Sequence, residues 1–163
     1  MLNERKRKWF DGIVWSLSLL FAAALVNTAR AESHRLAVDN AAYRTECGSC
    51  HIAYPPALLD QGVWRAIMQG LGQHFGTDAS VSESTLAELG AYLAGSSSRK
   101  HRSAPSLRIS ETPWFRKEHS DVAPETWKSP AVKSAANCEA CHRQASAGDF
   151  SERNVRIPAR SPR

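Results

Sequence analysis

Apolar residues recur at helical spacing in two stretches of the chain. Val63, Trp64, Ile67, Met68 and Leu71 stand at i, i+4 and i+7 intervals behind Asp60, which is suited to cap a helix start, and Gly70 or Gly72 offers the stop. Leu86, Leu89 and Leu93 form a second stripe behind Ser82, with Gly95 beyond its end. Earlier, the stretch from Ala41 towards Cys50 has helical character, with Tyr43 one turn ahead of Cys47, until Tyr54-Pro55-Pro56 breaks it. Proline removes a backbone donor and restricts the residue before it, so a turn or extended loop is expected there. Thr112-Pro113 predicts a short helix through Trp114, Phe115 and His119, and Ser129-Pro130 repeats the start signal. No strand-rich pattern stands out, so the expected fold class is mainly α.

Residues 96–104 lack apolar periodicity and read as a solvated linker. They divide the chain into an N-terminal part, 32–95, and a C-terminal part, 105–163, whose last stretch from Ser151 carries two prolines and reads as an extended surface tail. Each part has roughly 60 residues, a size at which a side-chain core alone is marginal and small domains add disulfides or a metal. Residues 1–31 read as a secretory signal peptide. A basic run from Arg5 to Lys8 precedes an apolar stretch from Ile13 to Val26, followed by Ala29-Arg30-Ala31. That stretch is shorter than the roughly 20 apolar residues a bilayer requires. Cleavage before Glu32 would leave a soluble, exported protein, expected in the periplasm.

The charge balance changes once this segment is set aside. The chain has 21 Lys or Arg against 16 Asp or Glu, a net +5; five of the basic and two of the acidic residues precede Glu32, leaving 16 against 14. No strong positive field remains, so no nucleic-acid partner is expected.

The four cysteines carry the chemistry. Cys47-Gly48-Ser49-Cys50-His51 and Cys138-Glu139-Ala140-Cys141-His142 are two copies of C-x-x-C-H. On a helix, positions i, i+3 and i+4 share a face, so two thiols and an imidazole converge in each copy. Two thiols add across the vinyl groups of a haem as thioethers, and the imidazole that follows lies beneath the iron as its proximal ligand. Each part of the chain therefore becomes a haem-centred domain, and the expected cofactors are two covalently bound c-type haems. The haem supplies the core that each half lacks. A four-thiolate zinc site uses the same pairs but gives no reason for a His after both of them. A redox dithiol calls for one pair at a strand-to-helix turn. Two local disulfides close loops too short to stabilise the chain much.

His51 and His142 are the expected proximal ligands, which leaves four histidines and Met68 for the opposite faces. Met68 lies on the apolar stripe four residues from Trp64, where a core role is ordinary. His74, in Leu71-Gly72-Gln73-His74-Phe75-Gly76, sits between two helices with apolar neighbours; His119 follows Trp114 and Phe115. His34 and His101 lie in polar, solvated settings. His74 and His119 are thus the expected distal ligands, giving two bis-His, low-spin haems of low potential. Proximity in sequence favours His74 at the first haem and His119 at the second, and a crossed arrangement is the competitor.

The segment Glu46-Cys47-Gly48-Ser49-Cys50-His51, Ala53-Tyr54-Pro55-Pro56, Leu58-Leu59, Trp64, His74-Phe75-Gly76 and Tyr92-Leu93 resembles the bacterial dihaem cytochrome c family called DHC. The second half is similar too, through Arg108-Ile109, Thr112, Trp114-Phe115, His119, Asn137-Cys138, Ala140-Cys141-His142 and Arg156-Ile157-Pro158. The resemblance implies a periplasmic electron-transfer protein with a class I cytochrome c-like N-terminal domain, a smaller haem domain and bis-His ligation. It also implies a small monohaem cytochrome as electron acceptor and a membrane cytochrome b as donor. A monomer is expected. An electron carrier is not an enzyme; the alternative is a small dihaem peroxidase or reductase, which must leave one iron position open to substrate.

Overall fold

The helix starts predicted at Asp60, Ser82 and Thr112 are each met by a side chain that takes up an orphan backbone donor. The computed structural model describes residues 36–99 and 106–158. Asn40 accepts from the Tyr43 amide to begin α1 (Ala41–Cys47), Asp60 accepts from Gly62 and Val63 to begin α2 (Gln61–Gln69), and Ser82 accepts from Thr85 to begin α3 (Glu83–Ser96). Thr112 does the same for α4 (Pro113–Glu118), and α5 (Pro124–Lys128) starts on a proline. Such caps contribute about 1 kcal/mol each. Short 3-10 turns and loops make up the remainder, and among the described residues strand-like pairing is limited to isolated bridges, including Asp60 with Ser98 and His142 with Val155. The fold is mainly helical, as expected. No helix among the described residues is long and apolar enough to cross a membrane. The signal peptide, His34, His101, most of the linker and the end of the tail lie outside the described residues.

α1, α2 and α3 enclose the main core, built of Tyr43, Leu59, Val63, Trp64, Ile67, Met68, Leu89 and Leu93. Met68 belongs to that core. The two polar ring groups buried there are satisfied: the Trp64 indole N–H donates to the Pro56 carbonyl at 2.8 Å, and the Tyr43 hydroxyl donates to the Tyr54 carbonyl at 2.8 Å. Leu86 lies outside this core and is exposed. Gly95 falls inside α3 rather than beyond it, because the chain leaves the helix only where the Ser98 amide is captured by the Leu59 carbonyl at 2.8 Å.

The second half holds much less. Its buried apolar residues among those described are Phe115, Val132 and Ala145, with the Thr112 hydroxyl donating to Ile109 and accepting from Phe115. Ser129 does not start a helix: its hydroxyl donates to Thr126 at 2.8 Å and closes α5 instead. Within 151–158 the chain is tied back to the second motif: the Arg156 amide donates to the Cys141 carbonyl at 2.9 Å and Val155 bridges His142.

The two halves touch directly within one unit spanning Arg35–Arg163. Ile109 packs on the N-terminal core, and the Tyr54 hydroxyl bonds to Ala136. Gly148 closes the turn after Ala145–Ala147 at φ +80°, with the position of an absent Cβ 2.7 Å from the Ala37 backbone. A side chain there meets both an unfavourable backbone and a collision. Gly90, by contrast, is helical with open space around it. In urea unfolding of the haem-loaded protein, Gly148→Ala is expected to cost about 2 kcal/mol or more, and Gly90→Ala to add about 0.5–1 kcal/mol. Equal midpoints for the two variants would contradict this packing.

Candidate metal centres

The first C-x-x-C-H motif begins as the last turn of α1 and leaves it. Cys47 ends the helix, the Gly48 amide donates to the Arg44 carbonyl at 3.0 Å, and Cys50 and His51 follow in the turn. The second motif lies in the 3-10 turn Cys138–Ala140, closed by the His142 amide on the Cys138 carbonyl at 2.7 Å. Neither motif therefore lies along a continuous helix. Tight turns carry both motifs, and Asn137, whose amide side chain donates to the Val132 carbonyl at 3.0 Å, fixes the entry to the second.

None of the four cysteines is paired in a disulfide. Burial, with the nearby Glu46 carboxylate, pushes the Cys47 thiol up to about 11. Burial likewise pushes Cys138 up to about 11 and raises Cys141. These shifts favour the neutral thiol over the low-pKa thiolate of a redox dithiol. Among the described residues no three His, Cys, Asp or Glu side chains converge as a metal cluster, so the four cysteines do not form one site.

The histidines pair instead. The ring centroids of His51 and His74 are 6.3 Å apart with planes at 35°, and those of His119 and His142 are 6.1 Å apart with planes at 76°. A metal–imidazole bond is about 2.0–2.1 Å and a ring nitrogen sits about 1.1 Å from its ring centre, so imidazoles on opposite sides of one ion lie about 6.2–6.4 Å apart. Both pairs have that spacing. His51 thus lies beside His74, and His119 beside His142.

Second contacts set which nitrogen faces inward. His51 Nδ1 is 2.7 Å from the Ile52 carbonyl and His119 Nδ1 is 2.9 Å from the Phe115 carbonyl. A carbonyl only accepts, so Nδ1 carries the proton in both and Nε2 keeps its lone pair for a metal. His142 Nδ1 is buried with no hydrogen-bond partner, so this ring is not held as a satisfied core histidine. Burial lowers the pKa of His74, helped by His51 and Arg108, and lowers that of His142, helped by His119 against the opposing pull of Asp149. Both rings are thereby kept neutral and able to ligate. Two thiols, one imidazole from the motif and a second imidazole opposite form the donor set that a c-type haem requires, and the residues fit it.

Several residues around these pairs carried no clear sign in the sequence. Tyr54 stacks on His51 at 4.7 Å and 25°; its place three residues past the motif histidine was the available clue. Trp127 stands 5.8 Å from His119 on the far side of a helix start marked only by Pro124. Phe115 stacks on His119 at 4.0 Å and 19°. Phe75 takes φ +51°, a conformation that is costly for a bulky residue, and Arg108 from the second half lies 4.2 Å over its ring. That strained residue directly follows His74 and helps aim it at His51.

Residues 43–150 match the protein family described as dihaem cytochrome c. Two solved structures from Rhodobacter sphaeroides, a diheme cytochrome c and a purified DHC, share 38% and 42% identity with the chain. They cover 71% of it in each case, with 99% and 100% of their own length matched and TM-scores of 0.65 and 0.64. A diheme cytochrome type c from Shewanella baltica OS155 is 38% identical, covers 73% of the chain over 93% of its own length, and has a TM-score of 0.67. No curated protein matches the chain.

Gly48 offers a test of the first motif's geometry. A Cβ added there meets the Arg44 carbonyl oxygen, so the turn that presents Cys50 and His51 has to shift. Gly48→Ala is expected to lower the haem-to-protein ratio, measured as pyridine haemochrome, from two toward one. A variant that retains two haems would show that this turn tolerates a side chain.

Proposed function

The chain belongs to the dihaem cytochrome c family and so carries two covalently attached c-type haems, and from that premise we propose that it is a periplasmic electron carrier whose irons are each held between two imidazoles. The single observation that supports this reading best is the spacing of the two histidine pairs, 6.3 Å and 6.1 Å. His51 and His142 serve as proximal ligands, and His74 and His119 as distal ones. Cys47 and Cys50 attach the first haem, Cys138 and Cys141 the second. An enzyme acting at iron needs an open coordination position, and here an imidazole stands opposite each motif histidine. Electron transfer asks less of the protein: it must hold the haems, shield them and tune their potentials. Two imidazole ligands favour low potentials, because the thioether ligand that raises them is absent and Met68 is part of the core.

The basic and apolar runs at the N-terminus support export to the periplasm. The partners proposed are a small monohaem cytochrome as acceptor and a membrane cytochrome b as donor, with the carrier acting as a monomer.

Electron paramagnetic resonance of the oxidised protein tests the ligation. Near-parallel imidazole planes split the two iron d orbitals that overlap them, whereas near-perpendicular planes leave those orbitals almost degenerate. The expected spectrum has two low-spin signals, a rhombic one from His51/His74 and a strongly anisotropic one from His119/His142. A dominant high-spin signal would favour an open, enzyme-like site. In the reduced state, His74→Ala and His119→Ala are each expected to open one haem of the two to carbon monoxide.

A further inference from the structure

Tyr54 makes three contacts that belong to different parts of the molecule. Its ring lies 4.7 Å from the His51 imidazole with planes 25° apart. Its hydroxyl donates a 2.6 Å hydrogen bond to the Ala136 carbonyl, 82 residues away in sequence. Its own carbonyl accepts from the hydroxyl of Tyr43, which is buried in the main core. The same Ala136 carbonyl accepts the Cys138 amide at 3.1 Å and so sets the entry to the second attachment turn.

We infer that Tyr54 is a positioning residue that ties the two haem-attachment segments together, its ring fixing the plane of His51 and its hydroxyl fixing the approach to Cys138. The inference rests on the assignment of His51 and Cys138 to two haems. The side chain has little freedom to do otherwise. Pro55 follows it and restricts its backbone, and the Tyr43 bond holds its carbonyl. Ala136 offers only an acceptor there, so the phenol must donate. A stacked ring restricts rotation of the imidazole about its bond to the chain, and hence the angle it makes with His74 across the iron. A hydrogen bond to a loop carbonyl of the other half adds order there of the size that a single net bond contributes.

Two variants separate these roles in the haem-loaded full chain. Tyr54→Phe removes only the donor, and Tyr54→Leu removes the donor and the flat ring. Hydrogen exchange, read at the amides from Cys138 to His142 relative to those of α2, is expected to be about threefold to tenfold faster in both variants. The rhombic resonance of the His51/His74 centre should keep its g values in Tyr54→Phe and change them in Tyr54→Leu. Unaltered relative exchange in Tyr54→Phe, or unaltered g values in Tyr54→Leu, would overturn the inference. A wild-type spectrum without low-spin signals would instead strike the ligation reading itself, and the inference with it, before any variant is made.

Discussion

Two imidazoles on opposite sides of one metal lie about 6 Å apart, and much of this chain is arranged to hold two histidine pairs near that spacing. At the first centre the turn after α1 presents His51, while a strained Phe75 under Arg108 turns His74 toward it. At the second, α4 carries Phe115 to stack on His119, and the bridge from Val155 holds His142 opposite. Backbone carbonyls at Ile52 and Phe115 accept from the outer nitrogen of one ring in each pair, so orientation and tautomer are set by the same contacts.

The same constraint explains how unevenly the side-chain core is shared. Three helices around Tyr43, Trp64 and Leu89 form a contiguous apolar cluster in the first half. In the second, Phe115, Val132 and Ala145 are the buried apolar residues among those described, and most of the segment is loop between short helices and 3-10 turns. So small a cluster gives little free energy against the conformational entropy of ordering the segment. A porphyrin attached to Cys138 and Cys141 adds a large apolar body where the side chains do not. Contacts from the first half, through Tyr54 to Ala136 and Ala37 to Gly148, give further support.

What the sequence made legible follows from how local each signal is. Asp60, Ser82 and Thr112 marked helix starts correctly, because a cap is an interaction over two or three residues. The C-x-x-C-H motifs stood out for the same reason, and in the structure His74 lies beside His51 and His119 beside His142. Ser129 misled because a hydroxyl can close a helix as well as open one, and which it does depends on the turn before it. Gly95 misled because the end of α3 is decided by Leu59, far away in sequence. Tyr54, Trp127 and Arg108 act across the fold, and nothing in their immediate neighbours announces the rings they touch.

Anomalous scattering at the iron edge from crystals of the haem-loaded protein measures the central claim directly. Two iron peaks are expected, one within bonding distance of both His51 and His74 and the other of both His119 and His142. An iron lacking its second imidazole, or a single metal shared by the four cysteines, would contradict it.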